Sequence, residues 1–305
     1  MIYDSVILGS GPAGLATALY LSRAGRSVLT LLGIPGGQMS EIAEIENYPG
    51  APGRVTGGEL AEIMQNQAVA FGAQFKPGLA ESVLPTGDNY TIKTNTGDVI
   101  EARSVIVATG ASPRRLGVPG EAEFSGRGVS YCATCDGNFY KNRVVMVVGG
   151  GNSALSEALH LSHIAAKVII SYRQGGFFRA EKVLIDRIAA APNIEVEFNS
   201  EVVEICGDQM GVNSVIMSSR GLTPGSRQIN LDGIFIAIGH TPNTQMLSSD
   251  LPRDATGHLI TLPNRTRIAD TKIFVAGDVR SESPKQVVIA AGQGAQAAME
   301  CSELL

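Results

Sequence analysis

A strand–glycine turn–helix–strand unit occurs twice in this chain of 305 residues, and no other feature limits its fold as strongly. The first copy runs from the apolar "IYDSVIL" (2–8) through "GSGPAG" into the helical "LATALYLSRAG" and the apolar "SVLTLL". The second runs from "RVVMVV" (143–148) through "GGGNSA" into "LSEALHLSHIA" and "KVIISY". Gly9 and Gly149 stand in equivalent places. A glycine turn between an apolar run and a helical pattern is the signature of a dinucleotide-binding unit, and here it is duplicated.

Each copy has a later apolar strand ending in glycine, "SVIVATG" (104–110) and "GIFIAIG" (233–239). A further strand, "KIFVAGD" (272–278), and the helical "VVIAAGQGAQAAMECSELL" have no counterpart in the second copy. The economical topology returns them to the first domain. The expected fold is therefore α/β, with two Rossmann-like domains and the second inserted into the first. Residues 1–113 and 242–305 form the outer domain and 114–241 the inserted one. The crossings, near "ASPRRLGVPGE" and "GHTPNT", are expected to act as hinges, with His240 at the second.

In the first turn Gly9, Gly11 and Gly14 give G-x-G-x-x-G after a strand and before a helix. The first glycine makes the tight turn, the second lets backbone approach a pyrophosphate, and the third lets helix meet strand. The helix N-terminus offers unpaired N–H groups to the anion. The acidic ribose partner expected about 20 residues on is missing; the nearest acid is Glu41, and "GIPGGQ" supplies another glycine turn instead. The second turn, Gly149 to Ala154, matches G-x-G-x-x-A and includes Gly151, Asn152 and Ser153. "YRQGGFFR" follows the next strand, where Arg173 and Arg179 are placed to meet a 2′-phosphate. "IFVAGD" sets Asp278, beside Gly277, at the carboxyl edge of a sheet, where ligands of such folds gather.

The composition is 44% hydrophobic and 17% charged, enough to bury a sizeable core, and the net charge of −5 comes without a basic cluster. Nucleic-acid binding is therefore excluded from the expected functions. "MIYDSVILGS" has neither a basic n-region nor a small-residue cleavage site, and no apolar run reaches a membrane span. The cytoplasm is the expected compartment. Four cysteines are too few for a disulfide framework. Two of them, Cys132 and Cys135 in "SYCATCDGNFY", make a C-x-x-C that reads locally as a metal clip, a structural disulfide or a redox pair.

With these residues in view the chain resembles the low-molecular-weight, bacterial-type thioredoxin reductases over essentially its whole length. "GSGPAG", "PGGQ", "IENYPG", "VIVATGA", "CATCDG", "GGGNSA", "FRAEK", "IAIGHTPNT" and "VAGD" occur in the family's order and spacing. The resemblance implies FAD in the outer domain, a pyridine nucleotide (NADPH in most relatives) in the inserted one, and a homodimer. It places FAD along Gly9, Ser10, Gly11, Pro12, Ala13 and Gly14, then Gly36, Gly37, Gln38 and Asn47. Gly277, Asp278, Lys285, Gln286 and Val287 complete that set. It makes Cys132 and Cys135 the redox pair, with Cys135 toward the flavin and Cys132 attacking the disulfide of thioredoxin or a thioredoxin-like protein. A metal site lacks ligands, since Cys206 and Cys301 are isolated and the histidines show no paired spacing. Asp136 is placed to give or take the proton that makes a thiol nucleophilic. Because pair and nucleotide share a domain yet both must reach one flavin, rotation about the crossings is expected to alternate them.

Two departures bear on the electron donor. Where the family has His-Arg-Arg, this chain has Tyr172-Arg173-Gln174, and "GGFFR" is one residue longer before Arg179. One cationic clamp on the 2′-phosphate is missing, so NADH use or independence of pyridine nucleotides becomes an alternative to NADPH. Ferredoxin or a second flavin would then supply electrons, with Phe177 and Phe178 beside the incoming ring. A dithiol oxidase with the flow reversed is a further alternative. Lys285-Gln286-Val287 stands for the more usual Arg-Gln-Ala and keeps the charge.

Overall fold

The computed structural model describes residues 1–42, 45, 47–51, 55–219 and 225–305; Glu46 of "IENYPG" lies outside the described residues. The chain begins β1 (Ile2–Leu8), α1 (Pro12–Arg23), β2 (Val28–Leu32), α2 (Gly57–Val69), β3 (Gln74–Pro77) and β4 (Ala80–Thr86). It continues with β5 (Asn89–Thr94), β6 (Val99–Val107), β7 (Ala111–Pro113), β8 (Val129–Ser130), α3 (Ala133–Asp136), β9 (Val144–Val148) and α4 (Asn152–Ser162). Next come β10 (Lys167–Tyr172), α5 (Lys182–Ala190), β11 (Ile194–Phe198), β12 (Ser200–Asp208), β13 (Gly211–Ser219) and β14 (Ser226–Asn230). The last elements are β15 (Gly233–Ile236), β16 (His240–Pro242), β17 (Ile273–Val275) and α6 (Val287–Leu304). Two compact units divide the chain: Met1–Ser112 with Thr241–Leu305, and Pro113–His240.

In the first unit the sheet order is β3-β2-β1-β6-β5-β4, with β17 also on β6. The β3, β2, β1, β6 and β17 pairings are all parallel. The long β6 divides its outer edge: Val99 to Ala102 pair antiparallel with β5, and Val105 to Val107 pair parallel with β17. Along β1, Val6 and Leu8 enter one apolar cluster while Ile7 enters another with Ala18, Leu21 and Ala297. Apolar cover on both faces is why "VIL" reads as an unbroken run rather than an alternation.

The second unit repeats the plan. Its parallel sheet runs β11-β10-β9-β15-β8, so β9 holds the place of β1. Met146 and Val148 face a cluster shared with Val215 and Met217 of the three-stranded antiparallel sheet β12-β13-β14. Val145 and Val147 face α4 through Ala154, Leu155, Ala158 and Leu161. The register aligns Ser130 of β8 and Val147 of β9 on Phe235 of β15. The turn after β8 and the turn after β9 therefore leave the same sheet edge, two strand spacings or roughly 10 Å apart.

Candidate active site

The first glycine turn is as tight as the sequence requires. Gly9 has φ +106°, and a Cβ on Gly14 would lie 1.9 Å from the Gly9 carbonyl oxygen. Ser10 donates its hydroxyl to the Ile34 carbonyl at 3.1 Å, tying this turn to the loop after β2. Gly11 caps α1, Pro12 opens it, and Ala13 is buried behind them; α1 has neither a side-chain cap nor an acid in its first turn. The loop 33–37 comes so near that a Cβ on Gly37 would sit 3.1 Å from Gly11 Cα, and Gly36 and Gly37 both have left-handed φ. Gln38 donates its amide to the Ala111 carbonyl. Glu41 ends the short 3-10 turn that follows and is exposed.

The remaining first-unit candidates lie near the other end of the chain. Asn47 donates to the Gln286 side chain at 3.2 Å, and Gln286 caps α6, whose first residue is Val287. The Gly277 N–H donates to Gln293 at 2.8 Å. Asp278 accepts no hydrogen bond among the described residues; burial pushes its carboxyl up to about 6, with Lys285 pulling it back down. Burial likewise draws the Lys285 ammonium down. An uncapped helix start and a carboxylate without donors fit a dinucleotide bearing phosphates and hydroxyls, and FAD is such a group.

The second turn resembles the first, with Gly149 at φ +144°, but it is more covered. The Tyr172 ring lies against it: a Cβ on Gly150 would come within 2.5 Å of three ring carbons. Tyr172 stacks on Phe177 at 5.7 Å, and its hydroxyl donates to Gln174 at 3.1 Å. Gly151 forms a backbone bridge with Arg179. The Asn152 side chain is tied to Glu181 by two 2.8 Å bonds, while Ser153 is exposed. Arg173 and Arg179 are exposed and pair with no carboxylate among the described residues. Phe177 is engaged in the aromatic stack, whereas Phe178 is 75% exposed.

Cys132 and Cys135 are joined as a disulfide with Cα atoms 5.3 Å apart, and both are partly exposed. Cys132 caps the short helix α3, its sulfur accepting the Cys135 N–H at 3.2 Å. Ser130 links the pair to Asp136: its hydroxyl donates to the carboxylate at 2.7 Å and accepts the Cys132 N–H at 3.1 Å. Burial raises the Asp136 carboxyl, and the Ser130 bond opposes that shift. Cys206 is half-buried on β12, and Cys301 is buried on α6 with Ser104 at 3.1 Å. No group of three or more metal-ligating side chains occurs among the described residues.

Ser130 and Tyr172 are absent from the sequence-derived set. A serine two residues before the first cysteine is a weak signal, and its two hydrogen bonds, to Asp136 and from Cys132, appear only once α3 turns back on β8. β10 pairs Ser171 with Val148, which brings Tyr172 level with Gly149 at the start of the turn, and its ring extends over Gly150. Glu157 is a third omission. It lies three residues after Ala154 and four before Leu161, on the buried stripe of α4, so a charge in a core position marked it.

Two nested dinucleotide-type units, one bearing a closed C-x-x-C, define a class of disulfide oxidoreductases that work through nucleotide cofactors. Residues 3–294 match the family described as pyridine nucleotide-disulphide oxidoreductase. A thioredoxin reductase of Rickettsia felis is 40% identical over 302 residues, 98% of this chain and 97% of its own length. One from Listeria innocua is 43% identical over 295 residues, 96% of this chain and 91% of its own. The solved thioredoxin reductase of Streptococcus pyogenes superposes with a TM-score of 0.87 at 39% identity, covering 99% of this chain and 97% of that one. The chain belongs to the bacterial-type thioredoxin reductases of this family. It is a flavoprotein disulfide reductase using FAD and a pyridine nucleotide. Among the described residues no helix is long and apolar enough to cross a membrane.

Proposed function

We propose that this enzyme passes two electrons from NADPH through FAD to Cys132–Cys135 and on to thioredoxin or a thioredoxin-like protein, as a homodimer in the cytoplasm. The observation that carries the reading is the closed, partly exposed pair with Ser130 bridging it to Asp136. Bound FAD supplies two-electron transfer between a hydride donor and a disulfide. Gly9 to Gly14, Gly36, Gly37 and Gln38 bind its phosphates and rings, joined by Asn47, Gly277, Asp278 and Lys285 to Val287. The unpartnered Asp278 carboxylate accepts hydroxyl groups there. Gly149, Gly151, Asn152 and Ser153 hold the pyridine nucleotide, with Arg173 and Arg179 the cations for a 2′-phosphate. Asp136 exchanges the proton at the pair, and Cys132 attacks the partner's disulfide.

A second reading keeps the FAD and the dithiol but takes electrons from ferredoxin or another flavin. The Tyr172 ring against Gly150 and the neutral Gln174 favour it. Anaerobic stopped-flow of the flavin's visible band separates the two. Fast bleaching by NADPH supports the first reading, and preference for NADH assigns Gln174 to a cofactor switch. No bleaching by either, with dithionite still effective, overturns the pyridine-nucleotide donor.

A further inference from the structure

The helix after the second glycine turn lies under the redox turn. Ala133, the first residue of α3, shares an apolar cluster with Ala154, Leu155, Ala158 and Leu161 of α4. A Cβ on Gly137 would sit 3.1 Å from Leu161, so the two segments are in close contact. On that face stands Glu157. Its Oε2 is fully buried and accepts no hydrogen bond among the described residues. The backbone amide of Ala133, next to Cys132, lies close enough to act on this carboxyl and opposes its upward shift. A buried carboxylate oxygen without partners is costly, so its ionised form takes up a proton readily when negative charge develops nearby.

Resting on the reading of Cys132–Cys135 as the redox pair, we propose that Glu157 is a positioning residue of the dithiol centre, taking up a proton when the disulfide opens. The S–S bond breaks with two electrons, delivered by the reductase's own donor chain, and one proton passed on by Asp136, which solvent reprotonates; the products are one thiol and one thiolate. A second proton, from solvent, goes to Glu157. Counting Glu157 and the two sulfurs, one negative charge sits on the carboxylate before the step and on sulfur after it, with Asp136 returned to its starting state.

The surroundings leave Glu157 free to respond to the sulfurs. Burial pushes its carboxyl up to about 7, opposed only by the Ala133 N–H. The other ionisable groups on neighbouring elements are Asp136 on α3, Tyr140 just after it, Lys167 and Tyr172 on β10, and Lys182, Asp186 and Arg187 on α5, with His160 on α4 itself. None of them contributes to that shift. Lys182 is already paired with Asp186 at 2.8 Å, and β9 carries no charge.

The test is alkylation of the dithiothreitol-reduced, flavin-loaded enzyme by iodoacetamide across pH, read peptide by peptide at Cys132 and Cys135. In the native enzyme, thiol and carboxyl titrate as a coupled pair, so reactivity rises in two steps reaching to high pH. Glu157→Gln keeps an acceptor for the Ala133 N–H and removes the charge. It should give a single step completed at lower pH, with alkylation about threefold to tenfold faster on the upper limb. Reactive thiols with superimposable profiles in the two proteins overturn the inference. A pair that stays unreactive after reduction overturns the redox reading itself. Should Glu157→Gln not fold, reduced-minus-oxidised infrared spectra carry the same test. A protonated-carboxyl band must then grow at neutral pH and persist in Asp136→Asn, and its absence sinks the proposal.

Discussion

Asp278→Asn should make the flavin-free protein more stable at neutral pH while weakening its hold on FAD. Burial pushes the Asp278 carboxyl up from an ordinary 3.8 to about 6, with Lys285 opposing the shift. Between those values the folded chain binds more protons than the unfolded one, so stability falls as pH rises through this window. The gap corresponds to about 3 kcal/mol at 1.36 kcal/mol per pH unit. The side chain keeps some exposure, and screening trims the penalty to about 1–2 kcal/mol. Asparagine carries no charge to desolvate and escapes it.

The assay is thermal unfolding of the flavin-stripped protein at acid and neutral pH. At about 2–4 °C per kcal/mol, the variant should melt roughly 2–8 °C above the parent at neutral pH, and the two should converge near pH 4. Flavin titration should move the other way. Losing an acceptor that takes charge-assisted bonds costs about 1.5–3 kcal/mol, or at least tenfold in affinity. A variant that melts no higher at neutral pH would refute the buried-charge argument. Unchanged FAD affinity would refute the placement of Asp278 at the ligand.

Gln174→Arg returns a cation to a place whose neighbours Arg173 and Arg179 are exposed and pair with no carboxylate among the described residues. An exposed phosphate contact is worth less than the 1.5–3 kcal/mol of a buried one, so about tenfold in the NADPH-to-NADH ratio of kcat/KM is expected; a ratio that does not move removes position 174 from phosphate recognition. Ser130→Ala deletes the donor that opposes the burial shift of Asp136. The carboxyl then rises further, and the pH limb it governs moves to higher pH, with turnover on its acid side down about tenfold or more. A limb that stays put, or moves to lower pH, assigns it to another group.

What the sequence made legible was local. β1 with α1 and β9 with α4 could be read because an apolar run, a glycine turn and a helical period lie within about thirty residues of one another. Pro12, the first helical residue, needs no N–H partner, so α1 begins three residues before the apolar pattern does. The β4–β5 hairpin and the β12-β13-β14 sheet were not legible. β4 buries only Val83, and β14 no residue fully, so neither shows the clean period that a two-sided core imposes.

The site divides the same way, and the division explains which residues act indirectly. Glycines, cysteines and Asp136 carry their chemistry in the residue type and its spacing, so the motifs announce them. Ser130, Tyr172 and Glu157 are ordinary residue types given a role by neighbours that only the register brings close. Ser130 and Val147 align on Phe235, which sends the redox turn and the glycine turn off one sheet edge. The helix that follows the glycine turn must then run beneath the redox turn, and its inward positions become the floor of the dithiol centre. The buried Glu157 carboxyl belongs to that floor, and so the geometry that places the nucleotide unit also sets an ionisable group under the redox turn.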